Sequence, residues 1–287
     1  HIEEGFKDDT NADLFALHKE QLSWGMDIFD EYDAKLTIES AQPFAKAVIN
    51  SESSILTDAL ERGHGVGTHC GSEVKGNTVA QLAEAYETNK NYIDQIIGEE
   101  KNKGCSGGWE ETDYVQAATQ AGFAYLDGVV YFAYLAMDVE YRPEQISDED
   151  IRDIYYHDPV ILEFSDHIYP RFLEDAQDFV EDADGELVLL NGELGEFSTL
   201  SEGRKNCFPN CTLNEEDFQV IYDAIDEANE IRDSNRVAHL YVHIPVKHYD
   251  EENEELFRSF LAHMQELQDA GKIEWATQKE VYEAKLS

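Results

Sequence analysis

The chain has 287 residues, 42% of them hydrophobic, which is enough for one large α/β domain or two small ones. Its 62 acidic and 21 basic residues give a formal net charge of -41. No run of about 18 uninterrupted apolar residues is present, which excludes a membrane span, and the absence of a basic patch disfavours a nucleic-acid ligand.

The acidic residues are spread along every segment and are not gathered in one tail. Two interpretations are open for so large a charge: a salt-rich milieu that screens the self-repulsion, or a cationic partner. The even spread favours the first. We therefore expect a halophilic or marine setting.

The chain opens with H-I-E-E-G, which is too short to define a strand. Glu3 and Glu4, followed by Gly5, are typical of a strand end that brings two carboxylates to a turn, although a solvated acidic start is the alternative. No signal-peptide pattern is present, and a processed or trimmed start would account for this.

Hydrophobic periodicity predicts alternating helices and strands through the first half of the chain. The predicted helices are 14–32, 55–62, 78–100 and 112–122. The predicted strands are 35–39, 66–69 and 123–131, with a short strand-to-loop step at 104–109.

The alternation is interrupted by an acidic, aromatic excursion at about 132–212, whose one clear apolar run is 186–191. It resumes with helices at 214–231, 254–270 and 278–286 and with strands at 238–245 and 273–277. Strands alternating with helices predict a parallel sheet covered by helices. With about seven such units, we predict an α/β fold, a distorted (β/α)7 barrel with parallel strands, as a single domain over residues 1–287.

Candidate functional side chains lie at predicted strand ends. His69 and Glu73, four residues apart, follow the strand at 66–69, and such ends hold the chemistry of open sheets and barrels. The strand at 238–245 has His239 and His243 on one face. His243 lies near its end and is a catalytic candidate, with a buried structural histidine as the alternative, whereas a structural role fits His239 better.

Cys207 and Cys211 are close enough in sequence to close a small disulfide loop, which would fit an oxidising compartment. A zinc site is the weaker alternative, because no second Cys/His pair is nearby. We therefore expect an extracellular or periplasmic protein. The cytoplasm of a high-salt host is the alternative.

Several stretches together resemble the polysaccharide deacetylases, carbohydrate esterase family four, whose catalytic domain is a distorted β/α barrel. I-L-T-D-A-L-E-R-G-H-G-V-G-T-H at 55–69 is similar to the helix and metal-binding histidine motif of that family. The stretch 105–125 resembles its third motif, and L-Y-V-H at 240–243 resembles the motif that ends in its catalytic histidine. H-I-E-E-G lies where the family has paired aspartates, and the tail 271–284 resembles its last strand and helix.

The resemblance implies metal-dependent hydrolysis of an acyl amide or ester on a carbohydrate. It implies that Glu4, His69 and Glu73 hold a divalent ion, with Zn²⁺ the usual one. It makes Glu3 the base that takes the proton of water and His243 the acid that protonates the leaving group. Ser106 and Trp109 are expected to contact the sugar, Trp109 by stacking on its ring.

The chain departs from the family pattern at its ligands. Glu3 and Glu4 replace two aspartates, Glu73 replaces a second metal histidine, and Cys105 replaces an arginine. An anionic ligand in place of a neutral one favours cations that prefer oxygen, so divalent ions other than zinc are also candidates. The barrel would also bring Cys70 and Cys105 to neighbouring strand ends, within disulfide reach, with free thiols as the alternative.

Two functions are therefore carried forward. The first is a divergent metal-dependent deacetylase or deacylase acting on carbohydrate. The second is a catalytically inactive barrel that serves as a carbohydrate-binding or structural module. The sequence leaves the sugar, the acyl group and the oligomeric state open.

Overall fold

The structure is a computed structural model of the chain that describes residues 3–71, 78–107, 112–128, 131–142, 147, 149, 168–208 and 210–287. For residues 3, 4, 131–133, 204 and 205 the backbone alone is described.

The main sheet is six-stranded and mostly parallel. Its strands are β1 (Thr37–Ser40), β2 (Gly65–His69), β3 (Gly104–Ser106), β4 (Tyr125–Asp127), β5 (Arg171–Leu173) and β6 (Leu187–Leu189). Their spatial order is β1-β2-β3-β4-β6-β5, and only the pair of β5 with β6 is antiparallel. The carboxyl ends of the parallel strands therefore meet at one edge of the sheet.

A separate parallel pair is formed by β7 (Glu193–Glu196) and β8 (Tyr241–His243). In the described part of the chain no ladder joins this pair to the six-stranded sheet, so no closed barrel is formed there. The α/β class and the parallel strands that the sequence predicts are confirmed.

The helices connect and cover these strands. They are α1 (Ala12–Asp30), α2 (Gln42–Asn50), α3 (Ile55–Glu61), α4 (Val79–Ile97), α5 (Tyr114–Gln120), α6 (Arg204–Cys207), α7 (Glu215–Ile231), α8 (Glu254–Asp269) and α9 (Gln278–Leu286). Asn214 begins α7 and Thr277 begins α9, each with a capping box that satisfies the first backbone N–H groups.

Some local predictions are wrong. Residues 3–7 form a 3-10 helix and not a strand end. Residues 273–277 form no strand, because they pair with no other strand in the described part of the chain. Helix α2, with a proline in its first turn, was not predicted, and neither was the antiparallel β5 inside the excursion. The predicted strands 123–131 and 238–245 shorten to β4 and β8.

The larger of two main cores packs α1, α7 and α8 together through aromatic rings. Phe197, fully buried after β7, lies with its ring centroid 5.2 Å from those of Phe218 and Phe260. This packing holds β7 and its partner β8 against α7 and α8. No helix among the described residues is long and apolar enough to cross a membrane.

Candidate active site at the strand ends

Three neighbouring strands place polar residues side by side at the carboxyl edge of the sheet. His69 of β2 is in register with Ser106 of β3, and Ser106 is in register with Asp127 of β4. Partners in a parallel ladder point to the same face and lie about 4.8 Å apart along the sheet. All three are buried. We call His69, Ser106 and Asp127 the strand-end group.

The His69 ring is oriented by the loop that follows β2. Its Nδ1 accepts a hydrogen bond from the Gly71 N–H at 3.0 Å. A ring nitrogen that accepts a hydrogen bond bears no proton, so a neutral His69 has its proton on Nε2. In this tautomer the Nε2 atom is a donor.

A disulfide lies behind this group. Cys70 and Cys105 are bonded, with their Cα atoms 5.5 Å apart, and they adjoin His69 and Ser106 in sequence. Alternate residues of a strand point to opposite faces, so Cys105 lies on the face opposite Ser106. The bond fixes the spacing of the two strands that hold His69 and Ser106.

Next to the strand-end group is a cavity of about 800 Å³ between the six-stranded sheet and β8. Glu39, Asp127 and Glu193 line it, together with Tyr241 and His243. We call it the acid-lined cavity. Asp127 belongs to both features and connects the strand-end group to the cavity.

Glycines make room for large side chains inside the sheet. Gly67 is the ladder partner of Glu39, and a Cβ atom added there would overlap the Glu39 carboxylate, lying 2.6 Å from Oε1. Gly104 is the partner of Tyr125, and its added Cβ would lie 2.6 Å from the tyrosine hydroxyl oxygen. The sequence therefore accommodates a buried carboxylate at Glu39 through Gly67.

Burial raises the pKa values of two of the cavity acids, Glu39 and Asp127. Burial raises the pKa of Glu39 from 4.5 to about 7. Burial, followed by the negative charges of Glu39 and Glu193, raises the pKa of Asp127 well above its usual value. A carboxyl group with the pKa of Glu39 can exchange protons near neutral pH, as general acids and bases do.

Tyr241 connects the two halves of the cavity. Its hydroxyl accepts a hydrogen bond from the Gly128 N–H at 2.7 Å and donates one to Glu193 Oε2 at 3.4 Å. Burial and the charges of Glu193 and Asp127 raise its pKa well above the usual value, so the hydroxyl keeps its proton.

His243 lies at the end of β8, opposite Glu196 of β7, and is buried. Its carbonyl oxygen accepts the Phe197 N–H at 2.8 Å, which links the strand end to the larger core. His239 is half-buried, and its Nδ1 lies 2.8 Å from the Asn191 carbonyl oxygen. This contact is consistent with the structural role expected for His239.

The structure brings some of the predicted site residues together. His69 and Ser106 are ladder neighbours, and His243 shares the acid-lined cavity with Asp127. Glu73 and Trp109 lie outside the described residues, and so do the side chains of Glu3 and Glu4.

A divalent ion does not fit the described side chains on their own. Among the residues that the structure describes, no three His, Cys, Asp or Glu side chains are arranged to hold a metal. At His69, the hydrogen bond from Gly71 favours the tautomer that offers no lone pair at Nε2. Ion binding would require this hydrogen bond to rearrange.

The sequence interpretation overlooked the cavity acids and Tyr241. Each acid has a local indicator: Glu39 ends the alternating K-L-T-I-E, Asp127 ends the apolar F-A-Y-L-D, and Glu193 follows the apolar L-V-L-L-N-G. Burying an acidic residue that directly follows an apolar run costs free energy, so such a residue is a functional candidate.

Comparison with known proteins identifies the fold. No protein-family model matches the chain, and no curated protein matches it. The structure is similar to a probable polysaccharide deacetylase from Pseudomonas aeruginosa PAO1, with TM-score 0.58 and 13% identity over 92% of this chain and 72% of that one. It is also similar to a protein from Mycobacterium smegmatis assigned as a polysaccharide deacetylase, with TM-score 0.59 and 13% identity over 99% and 84% of the two chains. The chain shares their fold.

Proposed function

We propose that this chain is a hydrolase that removes an acyl group, such as acetyl, from a carbohydrate amide or ester. The observation that carries the proposal is the position of Asp127, which adjoins Ser106 in the sheet and lines the acid-lined cavity with His243. The shared fold with proteins assigned as polysaccharide deacetylases supports the same reaction class.

Hydrolysis of such a bond needs a base that takes a proton from water and an acid that protonates the leaving nitrogen or oxygen. In the proposal Glu3 is the base and His243 is the acid. Asp127 is a further proton carrier, because burial and the charges of Glu39 and Glu193 raise the pKa of its carboxyl group and so favour the protonated form. Ser106 and Trp109 contact the sugar.

The proposal includes a metal ion. Glu4, His69 and Glu73 would hold the ion, zinc or another divalent cation, and a bound ion would supply a water of lowered pKa. Because the described side chains do not form this site on their own, no step of the proposed hydrolysis is assigned to an ion.

The experiment compares His243→Ala with wild type for acetate release from N-acetylated chitooligosaccharides and from acetylated xylan. Loss of a positioned proton donor should lower the rate by about 10² to 10⁴. We expect His69→Ala to lose both hydrolysis and metal content, whereas His243→Ala should keep any metal that the wild type holds. Elemental analysis of the purified proteins measures this difference.

His263→Ala is the matched control, since His263 lies half-exposed on α8 away from the cavity. It should retain the wild-type rate. A His243→Ala protein that folds and hydrolyses both substrates at the wild-type rate would show that the proposed acid is wrong. Equal metal content in wild type and His69→Ala would remove the proposed ligand set.

An inactive carbohydrate-binding module is the second candidate. It is favoured by one observation, the lack of a three-residue metal group among the described side chains. Wild-type protein that binds these glycans in calorimetry and releases no acetate would support this candidate over the hydrolase.

The proposal treats residues 1–287 as one domain that forms a distorted (β/α)7 barrel with parallel strands. It also assigns the protein to an extracellular or periplasmic location. The disulfides Cys70–Cys105 and Cys207–Cys211 support such an oxidising location. Mass spectrometry of an unreduced digest of the native protein tests the location, since free thiols would contradict it.

A further inference from the structure

Two buried carboxyl groups of the acid-lined cavity lack hydrogen-bond partners. Glu39 is 4% exposed, and neither of its carboxylate oxygens has a partner. Asp127 is 2% exposed, and its Oδ1 has none. Buried polar groups in native proteins are nearly always hydrogen-bonded, so each such atom calls for an explanation.

The lysines that line the same cavity do not neutralise these acids. Lys35 is paired with Glu280 at 2.6 Å, and Lys272 with Asp226 at 2.8 Å. Among the described residues, no ion pair joins a lysine or arginine to Glu39 or Asp127. Arg232 and Arg236 also line the cavity, but no described side chain donates a hydrogen bond to the Glu39 carboxylate or to Asp127 Oδ1. When these two groups ionise, their carboxylate oxygens are therefore open to a cationic ligand.

The arrangement does not suit a single metal ion. No three acidic or histidine side chains of the described residues come close enough to chelate one. The acids are instead distributed along the cavity, on β1, β4 and β7. Between them the wall includes apolar side chains, among them Leu194, Ile225, Val242 and Trp275.

A ligand that matches this wall has several N–H donors separated by an aliphatic chain. The donors would satisfy the separated carboxylates, and the methylene groups would contact the apolar side chains. A volume of about 800 Å³ is ample for such a molecule.

We propose that the acid-lined cavity binds an aliphatic diamine or triamine, with its ammonium groups at Glu39 and Asp127. Glu193, oriented by the Tyr241 hydroxyl, lies in the same cavity and adds to the negative potential. The inference goes beyond the proposed hydrolysis and does not depend on it, because binding is measured without turnover.

The test is calorimetric titration with butane-1,4-diamine at pH 8, above the pKa of about 7 of Glu39, in amine-free phosphate buffer with 1 M NaCl. The salt suppresses non-specific attraction to a chain of charge -41, since the screening length is then about 3 Å. The wild type should bind the diamine, and Glu39→Gln should bind at least about tenfold more weakly, because one ammonium group loses its carboxylate.

Two controls make the result decisive. Butane-1,4-diol has the same length without charge and should not bind. Glu99→Gln removes an exposed carboxylate outside the cavity and should leave the affinity unchanged. Equal diamine affinity for wild type and Glu39→Gln would overturn the proposal, and so would equal binding of diol and diamine. Should Glu39→Gln fail to fold, Asp127→Asn replaces it with the same expected outcome.

Discussion

At the scale of single residues, Glu39 is the most unusual feature of the chain. Its carboxylate is buried over Gly67, whose lack of a side chain leaves the space that the carboxylate occupies. Burial disfavours the charged form, so the protonated form predominates in the folded state up to a pKa of about 7.

This shift makes stability depend on pH in a defined direction. The unfolded chain releases the Glu39 proton near pH 4.5, whereas the folded chain keeps it to about pH 7. Between these values Glu39 holds a proton in the folded state and not in the unfolded state. The contribution of Glu39 to the free energy of unfolding therefore falls as pH rises and levels off above pH 7. The difference between the two pKa values corresponds to about 3 kcal/mol.

Glu39→Gln should remove most of this dependence, because glutamine resembles the protonated carboxyl group. Urea unfolding of wild type and variant at pH 5 and pH 8, in amine-free buffer of fixed salt, measures it. We expect the variant to gain stability relative to wild type by up to about 3 kcal/mol at the higher pH. Glu99→Gln should show the same change in the free energy of unfolding between pH 5 and pH 8 as the wild type. If Glu39→Gln also shows the wild-type change, the raised pKa of Glu39 is wrong.

Part of the site could be predicted from sequence, because the position of a residue within its own strand is enough to place it. His69 and Ser106 end predicted strands, so a parallel sheet alone brings them to one edge. Glu39 and Asp127 have a local indicator, an acidic residue that follows apolar residues, but this indicator does not show that they share one cavity. Their burial and raised pKa values depend on which strands become neighbours, and sequence spacing does not determine that.

At the scale of elements, helices were predicted better than strands. The start of α7 follows from its N-cap, Asn214, whose side chain acts within one turn. Thr277, which was predicted to end a strand, caps the start of α9 in the same way. A strand needs a partner to complete its hydrogen bonds. The alternating residues 273–277 find none in the described part of the chain, whereas β5 pairs with β6 without strong alternation.

The Cys70–Cys105 disulfide is the element-scale feature with the clearest energetic consequence. It spans 35 residues and joins the ends of β2 and β3. Closing a loop of this length restricts the unfolded chain, which stabilises the folded state by about 3 to 4 kcal/mol. Replacing both cysteines with serine should lower the free energy of urea unfolding by this amount.

The second disulfide provides the comparison. Cys207–Cys211 spans only four residues, so replacing this pair should cost less, about 2 kcal/mol in the same loop-closure treatment. We therefore predict that removing Cys70–Cys105 lowers the free energy of unfolding more than removing Cys207–Cys211 does. A larger loss from the Cys207–Cys211 pair would show that loop closure is not the dominant contribution.

At the scale of the whole molecule, the acidic excess dominates. Basic residues are few, and several of those described are engaged in ion pairs with acids, as Arg62 is with Asp27 and Asp30, and Arg258 with Glu31 and Glu254. The long helices α1, α4, α7 and α8 have no basic residue in their last turn, where a cation would be favourable. Repulsion among the remaining carboxylates therefore opposes folding throughout the chain.

Salt should relieve this repulsion, and thermal unfolding in NaCl from dilute buffer to 2 M measures the effect. The screening length falls from about 30 Å at 0.01 M to about 3 Å at 1 M, so repulsion between separated surface carboxylates is largely removed by 1 M. We therefore expect the unfolding temperature to rise steeply below 1 M and little above it. An uncharged osmolyte at the same osmolality acts by exclusion from the surface and should not reproduce this shape. An unfolding temperature that does not change with NaCl would contradict the inference of a salt-rich setting. An unfolding temperature that keeps rising at the same slope above 1 M would indicate exclusion of salt from the protein surface and not charge screening.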